Sequence, residues 1–184
     1  MDVFEEKIEG TIHLLLYILK KLGGQSDIHK LFKILYFAEQ KHLVKYGTTI
    51  SQDHYHAMKN GPVPSIAYDI YKSVKDGGVT YARYFSAVER FSIASIGEPD
   101  LDYLSESEIK CIDESVQENS NLSFNALTEK SHDEAWTSTP RDKEIGIVDI
   151  AKAGGADSHM VKYIQDHQLI QSNLNDNPEA LSFK

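Results

Sequence analysis

The chain is poor in the residues that carry most recognisable chemistry. A single cysteine, Cys111, stands among 184 residues, so no internal disulfide can form and no pair of thiolates is offered to a metal. That usage suits a reducing compartment. Long apolar runs are missing too: the longest, Leu14 to Leu19, has six residues, where a membrane span needs about twenty. The opening Asp2-Val3-Phe4-Glu5-Glu6 is too acidic for a secretory leader. These absences lead to the expectation of a soluble, cytoplasmic protein with no membrane association.

Cations are scarce in the second half. Residues 1–96 hold 12 Lys/Arg against 10 Asp/Glu, a balance of +2, whereas residues 97–184 hold 7 against 18, a balance of −11. Nothing past residue 97 can displace counterions from phosphates, so nucleic acid is not expected as the main ligand. Catalytic signatures are absent as well. There is no Gly-x-Ser-x-Gly elbow, no phosphate-cradling glycine loop and no His-Glu-x-x-His. No enzyme, cofactor or metal is expected.

What remains is ordinary globular material, 41% hydrophobic and 26% charged. A chain of this length buries roughly 70% of its extended surface, enough for one core. The expectation is one domain over 1–172 with a flexible tail over 173–184.

Helical periodicity dominates. Phe4, Ile8, Ile12, Leu15, Leu19 and Leu22 mark an amphipathic helix over 3–22 that Gly23-Gly24 ends. Ser26 or Asp27 can cap a second helix to about Tyr46. It is apolar nearly all round from Leu31 to Ala38, with Lys30, Lys33, Lys41 and Lys45 on one side. Thr48 to Ile50 and His54 to Met58 look extended, and Asn60-Gly61-Pro62-Val63-Pro64 forms a corner. Ile66, Ile70, Tyr71 and Val74 mark a third helix ending at Gly77-Gly78, and residues 79–96 suggest a small hairpin.

Ser105 and Glu108 form a capping box with a Leu104/Ile109 staple, which starts a helix over about 106–118. Ser123 can cap a further helix running through Trp136 and ending before Pro140. Residues 137–148 read as loop, and Asp157 can cap a last helix carrying Met160, Tyr163, Ile164, His167 and Ile170. The fold class is therefore mainly α (α+β): a compact bundle of about five to six helices with a small β-hairpin.

Three groups of side chains deserve a chemical reading. His54-x-His56 places two imidazoles on one strand face, but two ligands are not a zinc site, and a third would have to come from His132 or Asp133. A metal-dependent hydrolase using His54, His56 and His132 is the rival from a different functional class. His132, Asp133 and Glu134 fan out on a helix and cannot form a dyad, whereas His132 and Trp136 share a face and either lock the helix or present a binding edge. Seven of the ten tyrosines, Tyr36, Tyr46, Tyr55, Tyr68, Tyr71, Tyr81 and Tyr84, fall between residues 36 and 84. About half are expected in the core and the rest as contacts with a partner.

The ordered set Lys30-Leu31-Phe32-Lys33-Ile34-Leu35-Tyr36-Phe37-Ala38, Tyr46-Gly47, Tyr55-x-Ala57, Gly61-Pro62-Val63-Pro64, Leu104-Ser105-Glu106-x-Glu108 and His132-x-x-x-Trp136 resembles the SocA-like Panacea domain, also called phage-associated or GepA-like. The resemblance spans roughly residues 5–140. It implies a predominantly helical antitoxin of a toxin–antitoxin module that neutralises a cognate toxin from a neighbouring gene by direct binding. It also implies an alternative role as an adaptor delivering the toxin to a ClpXP-type protease. The resemblance carries no catalytic residue. The candidate partner-binding residues are Tyr55, Lys59, Asn60, Gly61, Pro62, His132 and Trp136.

Overall fold

The computed structural model describes residues 3–89 and 91–176. In chain order the elements are α1 (Val3–Lys21), β1 (Gln25–Asp27), α2 (Ile28–Tyr46), β2 (Tyr55–Met58), β3 (Gly61–Pro64), α3 (Ser65–Lys75), β4 (Phe85–Ala87) and β5 (Ser92–Ser95). A 3-10 turn over Leu101–Tyr103 leads into α4 (Glu106–Asn119), α5 (Phe124–Ser131), α6 (Glu134–Ser138), α7 (Ile147–Ala153) and α8 (Ser158–Asp176). The protein is thus mainly α, with one three-stranded and one two-stranded antiparallel sheet among the described residues. Helical backbone continues to Asp176, and the remainder of the expected tail, 177–184, lies outside the described residues.

The central element is α2, which packs against α1, α4, α5, α7 and β3. Its start is fixed locally: the Asp27 carboxylate accepts from the Lys30 amide at 2.8 Å, and Gly47, at φ 72°, closes the far end in the left-handed region. Every residue from Leu31 to Gln40 is buried, as the near-continuous apolar run requires. The lysines divide. Lys41 and Lys45 pair with Glu118 and Glu114 of α4 at 2.6 Å each, and Lys30 donates to the Ser120 carbonyl at 2.8 Å. Lys33, expected on the same solvated side, is instead 1% exposed. The expected basic stripe is therefore occupied by α4.

Two helices differ in packing from what the spacing of their apolar residues implies, which in α4 marks Ile109, Ile112 and Val116 as the inner face with Cys111 off it. In α1 the whole run Thr11–Leu19 is buried, wider than the single stripe anticipated. In α4, Cys111 is buried beside Ile112, Ser115 and Asn119, while Ile109 and Val116 are half-buried. Ser115 turns inward because its hydroxyl donates to the Ile34 carbonyl of α2 at 2.7 Å. The capping box at Ser105 and Glu108 is formed as anticipated.

The hairpin over 79–96 is present as β4 and β5, and β1 joins it as an unanticipated third strand, Ser26 opposite Ile93. The corner at 55–64 is a second hairpin, with Met58 opposite Gly61 and only Lys59 and Asn60 between them. Ala57 uses its own amide and carbonyl on Lys143 and Asp142, so it faces away from β3, and Pro62 opposite it forfeits no ladder bond. The same alternation turns the Pro62 carbonyl outward.

The helix expected to run unbroken from Ser123 through Trp136 is broken at His132. Asp133 takes extended backbone and caps a new short helix, its Oδ1 accepting from the Trp136 amide at 3.1 Å. A capping side chain in mid-pattern competes with helix continuation, and here it prevails. Helix α7 begins at Ile147, inside the stretch read as loop.

Candidate partner-binding site

The tip of the β2–β3 hairpin is built on α2 from below. Lys33 donates a 2.7 Å hydrogen bond to the Pro62 carbonyl. Gly61, at φ 100°, sits so close to this lysine that a Cβ there would lie 2.8 Å from Lys33 Cε and 2.3 Å from Ser131 Oγ. Only glycine satisfies both the left-handed backbone and the contact. From the far side, Trp136 donates its indole N–H to the Met58 carbonyl at 2.9 Å, and His132 stacks on the indole at 3.6 Å with planes 7° apart. Asp133 is tied to α2 by Tyr36 Oη at 2.9 Å and Gln40 Nε2 at 2.7 Å. Sequence segments up to about a hundred residues apart thus converge on one turn.

Beside the tip lies a groove of about 540 Å³, with Ile28, Phe32, Met58, Val63, Tyr68, Phe91 and Phe124 as apolar walls and Asp27, His29, Lys33, Lys59 and Asn60 as its polar groups. Phe124 and Phe91 are each 51% exposed and Met58 37%. Phe124 is the first residue of α5, outside the stripe that α5 buries, and stacks on His29 at 4.0 Å. Phe91 has φ 68°, a left-handed conformation that a bulky side chain adopts only when surroundings impose it. Its carbonyl accepts from the Ile28 amide at 2.9 Å, which ties the turn to the first residue of α2. A smaller pocket of about 240 Å³ shares Met58 and Lys59 and adds Trp136 and Arg141.

Burial sets the charge states in the floor. It pushes the Lys33 ammonium down to about 7, since the cation loses hydration and gains one carbonyl. His29 falls to about 4, first through burial and then through the charge of Lys33. His132 is lowered for the same two reasons in the same order. Nδ1 of His29 and Nε2 of His132 are buried and make no hydrogen bond of good geometry, although the backbone of Asn60 acts on His29, and that of Lys59 on His132, as a weak hydrogen-bond partner that opposes the lowering.

The structure therefore sorts the seven candidates. Lys59 and Asn60 are exposed at the tip, His132 and Trp136 are half-buried beside it, and Gly61 and Pro62 are buried within it. Tyr55 is 3% exposed and lines neither hollow at the tip, so its side chain belongs to the core and not to this surface. Tyr36 and Tyr71 are buried with it, whereas Tyr68, Tyr81 and Tyr84 are half-buried and Tyr46 is exposed. The histidines of the rival metal reading have separate partners: His54 meets Glu144 at 2.8 Å, His56 meets Ser65 at 2.9 Å, and His132 stacks on Trp136. Among the described residues no three metal-ligating side chains are placed to hold an ion. Sequence reasoning missed His29, Phe91 and Phe124, and reached Tyr68 only as one of seven tyrosines of which about half were expected as contacts. The position of Phe124 just after the Ser123 cap could have flagged it.

A family model described as antitoxin SocA-like, Panacea domain, matches residues 31–137. The chain belongs to this family. The matched region of the Panacea domain opens in α2 and closes in α6, so it contains the hairpin tip, the groove wall at Phe124 and the His132–Trp136 stack, while α1, α7 and α8 lie outside it. No curated protein and no solved structure matches the chain. No helix among the described residues is long and apolar enough to cross a membrane.

Proposed function

We propose that this Panacea domain is a non-catalytic, cytoplasmic antitoxin that neutralises a protein toxin encoded beside it by direct binding, with the hairpin tip and its groove as the contact surface. Membership of an antitoxin family is the observation that carries the role. The place is supported by the half-exposed Phe124 and Met58 beside a rigid turn, since exposed aromatic and methionine side chains around a concave patch are what buried interface cores are made of.

Co-expression with the neighbouring gene product tests the role. Relief of growth arrest and co-purification of the two proteins are the expected result. Arrest that persists with the antitoxin present abandons the reading. Phe124→Asp and Lys59→Glu, both at exposed positions, test the surface, and each is expected to weaken the complex at least tenfold while leaving the fold intact. Full rescue by both variants moves the contact elsewhere.

A further inference from the structure

On the reading that the groove is the partner-binding surface, its chemistry narrows what the partner presents. We propose that the groove recognises a polypeptide segment in which an acidic side chain neighbours an aromatic or aliphatic one. The carboxylate would meet Lys33 and His29 at the floor, and the apolar group would lie against Phe124, Met58 and Val63.

Three observations carry this. First, the floor holds hydrogen-bonding capacity that the fold leaves unused. The Lys33 ammonium has three donors and its hydrogen bond is to Pro62, while buried Nδ1 of His29 makes no bond of good geometry and meets only the backbone of Asn60 weakly. Buried polar groups left unmatched are costly, and an incoming carboxylate matches both at once. Second, the walls are almost wholly apolar, so a bare anion would leave most of the 540 Å³ unfilled, and an apolar ligand would leave the floor unmatched. Third, the charges around the groove lean positive, with Lys33, Lys59 and Lys75 against Asp27. Lys59 lines it, Lys72 lies 4.9 Å above the Tyr68 ring and Lys75 lies 5.9 Å above the Phe91 ring. Asp27 also lines it and keeps its negative charge while accepting from the Lys30 amide, and Lys72 is paired with Asp69, so that pair adds no net charge. On a chain of net charge −9, this is an apolar site with a local excess of positive charge, and charge complementarity favours an acidic segment over a basic one. The depressed Lys33 value adds a consequence. A carboxylate arriving at the floor favours the ammonium form, so binding takes up a proton near neutral pH.

The test uses the full chain, isotopically labelled, titrated by NMR with acetyl-Phe-Asp-Leu-amide, with acetyl-Phe-Asn-Leu-amide and with 3-phenylpropionate. The acidic tripeptide is expected to bind at least tenfold more tightly than its isosteric amide and to shift the Asn60 and Phe124 amides. Lys33→Met should erase that preference without erasing apolar binding. Phe124→Ala should weaken both tripeptides alike. His29→Gln, which leaves Lys33 in place, should cut the preference several-fold and keeps the test open if the Lys33 variant does not fold. Equal affinity for the two tripeptides overturns the proposal, as does a preference that survives both floor variants. Binding of 3-phenylpropionate without the acidic tripeptide also overturns it and makes the groove a small-molecule site. Rescue of growth without acidic preference would sink this inference and leave toxin binding standing. Acidic preference without rescue would do the reverse.

Discussion

Lys33 on the central helix and Pro62 in the hairpin, 29 residues further on, are joined by a 2.7 Å hydrogen bond from a buried ammonium to a backbone carbonyl. The bond exists because β3 turns that carbonyl away from its ladder, and α2 presents a lysine where an aliphatic side chain would leave the carbonyl unsatisfied. It holds the hairpin tip at a fixed height above the helix, and the groove forms beside it.

This arrangement predicts a pH dependence of stability. The lysine titrates near 10.5 when unfolded and near 7 when folded, so between those values the unfolded chain holds the extra proton and stability rises with pH. Urea unfolding between about pH 7 and about pH 9.5 should show the wild type gaining on Lys33→Met, with a slope of up to about 1.4 kcal/mol per pH unit. Parallel curves for the two proteins would mean that Lys33 keeps an ordinary pKa.

Gly61→Ala should be severe. The new methyl group meets Lys33 and Ser131 at forbidden distances while the backbone stays at φ 100°. Left-handed strain of about 1–2 kcal/mol and overpacking of about 1–3 kcal/mol act together. A loss of about 2–4 kcal/mol by chemical denaturation is expected and, on the proposed function, a loss of toxin binding even where the chain remains folded.

Phe91 reverses the usual order of alanine and glycine. Outside helices and strands, and at φ 68°, alanine retains the backbone strain and glycine releases it. Phe91→Gly should therefore be more stable than Phe91→Ala by about 1 kcal/mol, measured by thermal or urea unfolding. On the proposed function the two should be equally impaired in binding the toxin, because both lack the ring.

Trp136 is the chain's one tryptophan, and its indole lies flat on His132. An imidazolium quenches indole emission more than neutral imidazole does. Since burial and the charge of Lys33 lower the His132 pKa, emission should fall as pH drops, with a midpoint below the ordinary value of 6.5. His132→Gln should abolish the step. A midpoint at or above 6.5 would show that the ring is solvated.

The tests also mark how far local sequence reached. The caps at Asp27, Ser105 and Ser123, the stripe of α3 and the turn at Gly61 were all legible, since each is a matter of hydrogen bonds and φ preferences within about four residues. The same reasoning overran at His132, where the Asp133 cap was read as interior helix. It also took Tyr55 for a contact because aromatic composition does not say which face of a two-residue repeat is covered.

By itself the sequence determined the helical periods, their start signals and the ordered motifs that place the chain in its family, because those are encoded by neighbours along the chain. Only the tertiary structure decided that Lys33 is buried, that Phe91 is forced left-handed and that Phe124, His29 and the hairpin tip enclose one groove. Each of those depends on which distant segment packs against the residue, and desolvation, charge state and exposure are properties of that packing.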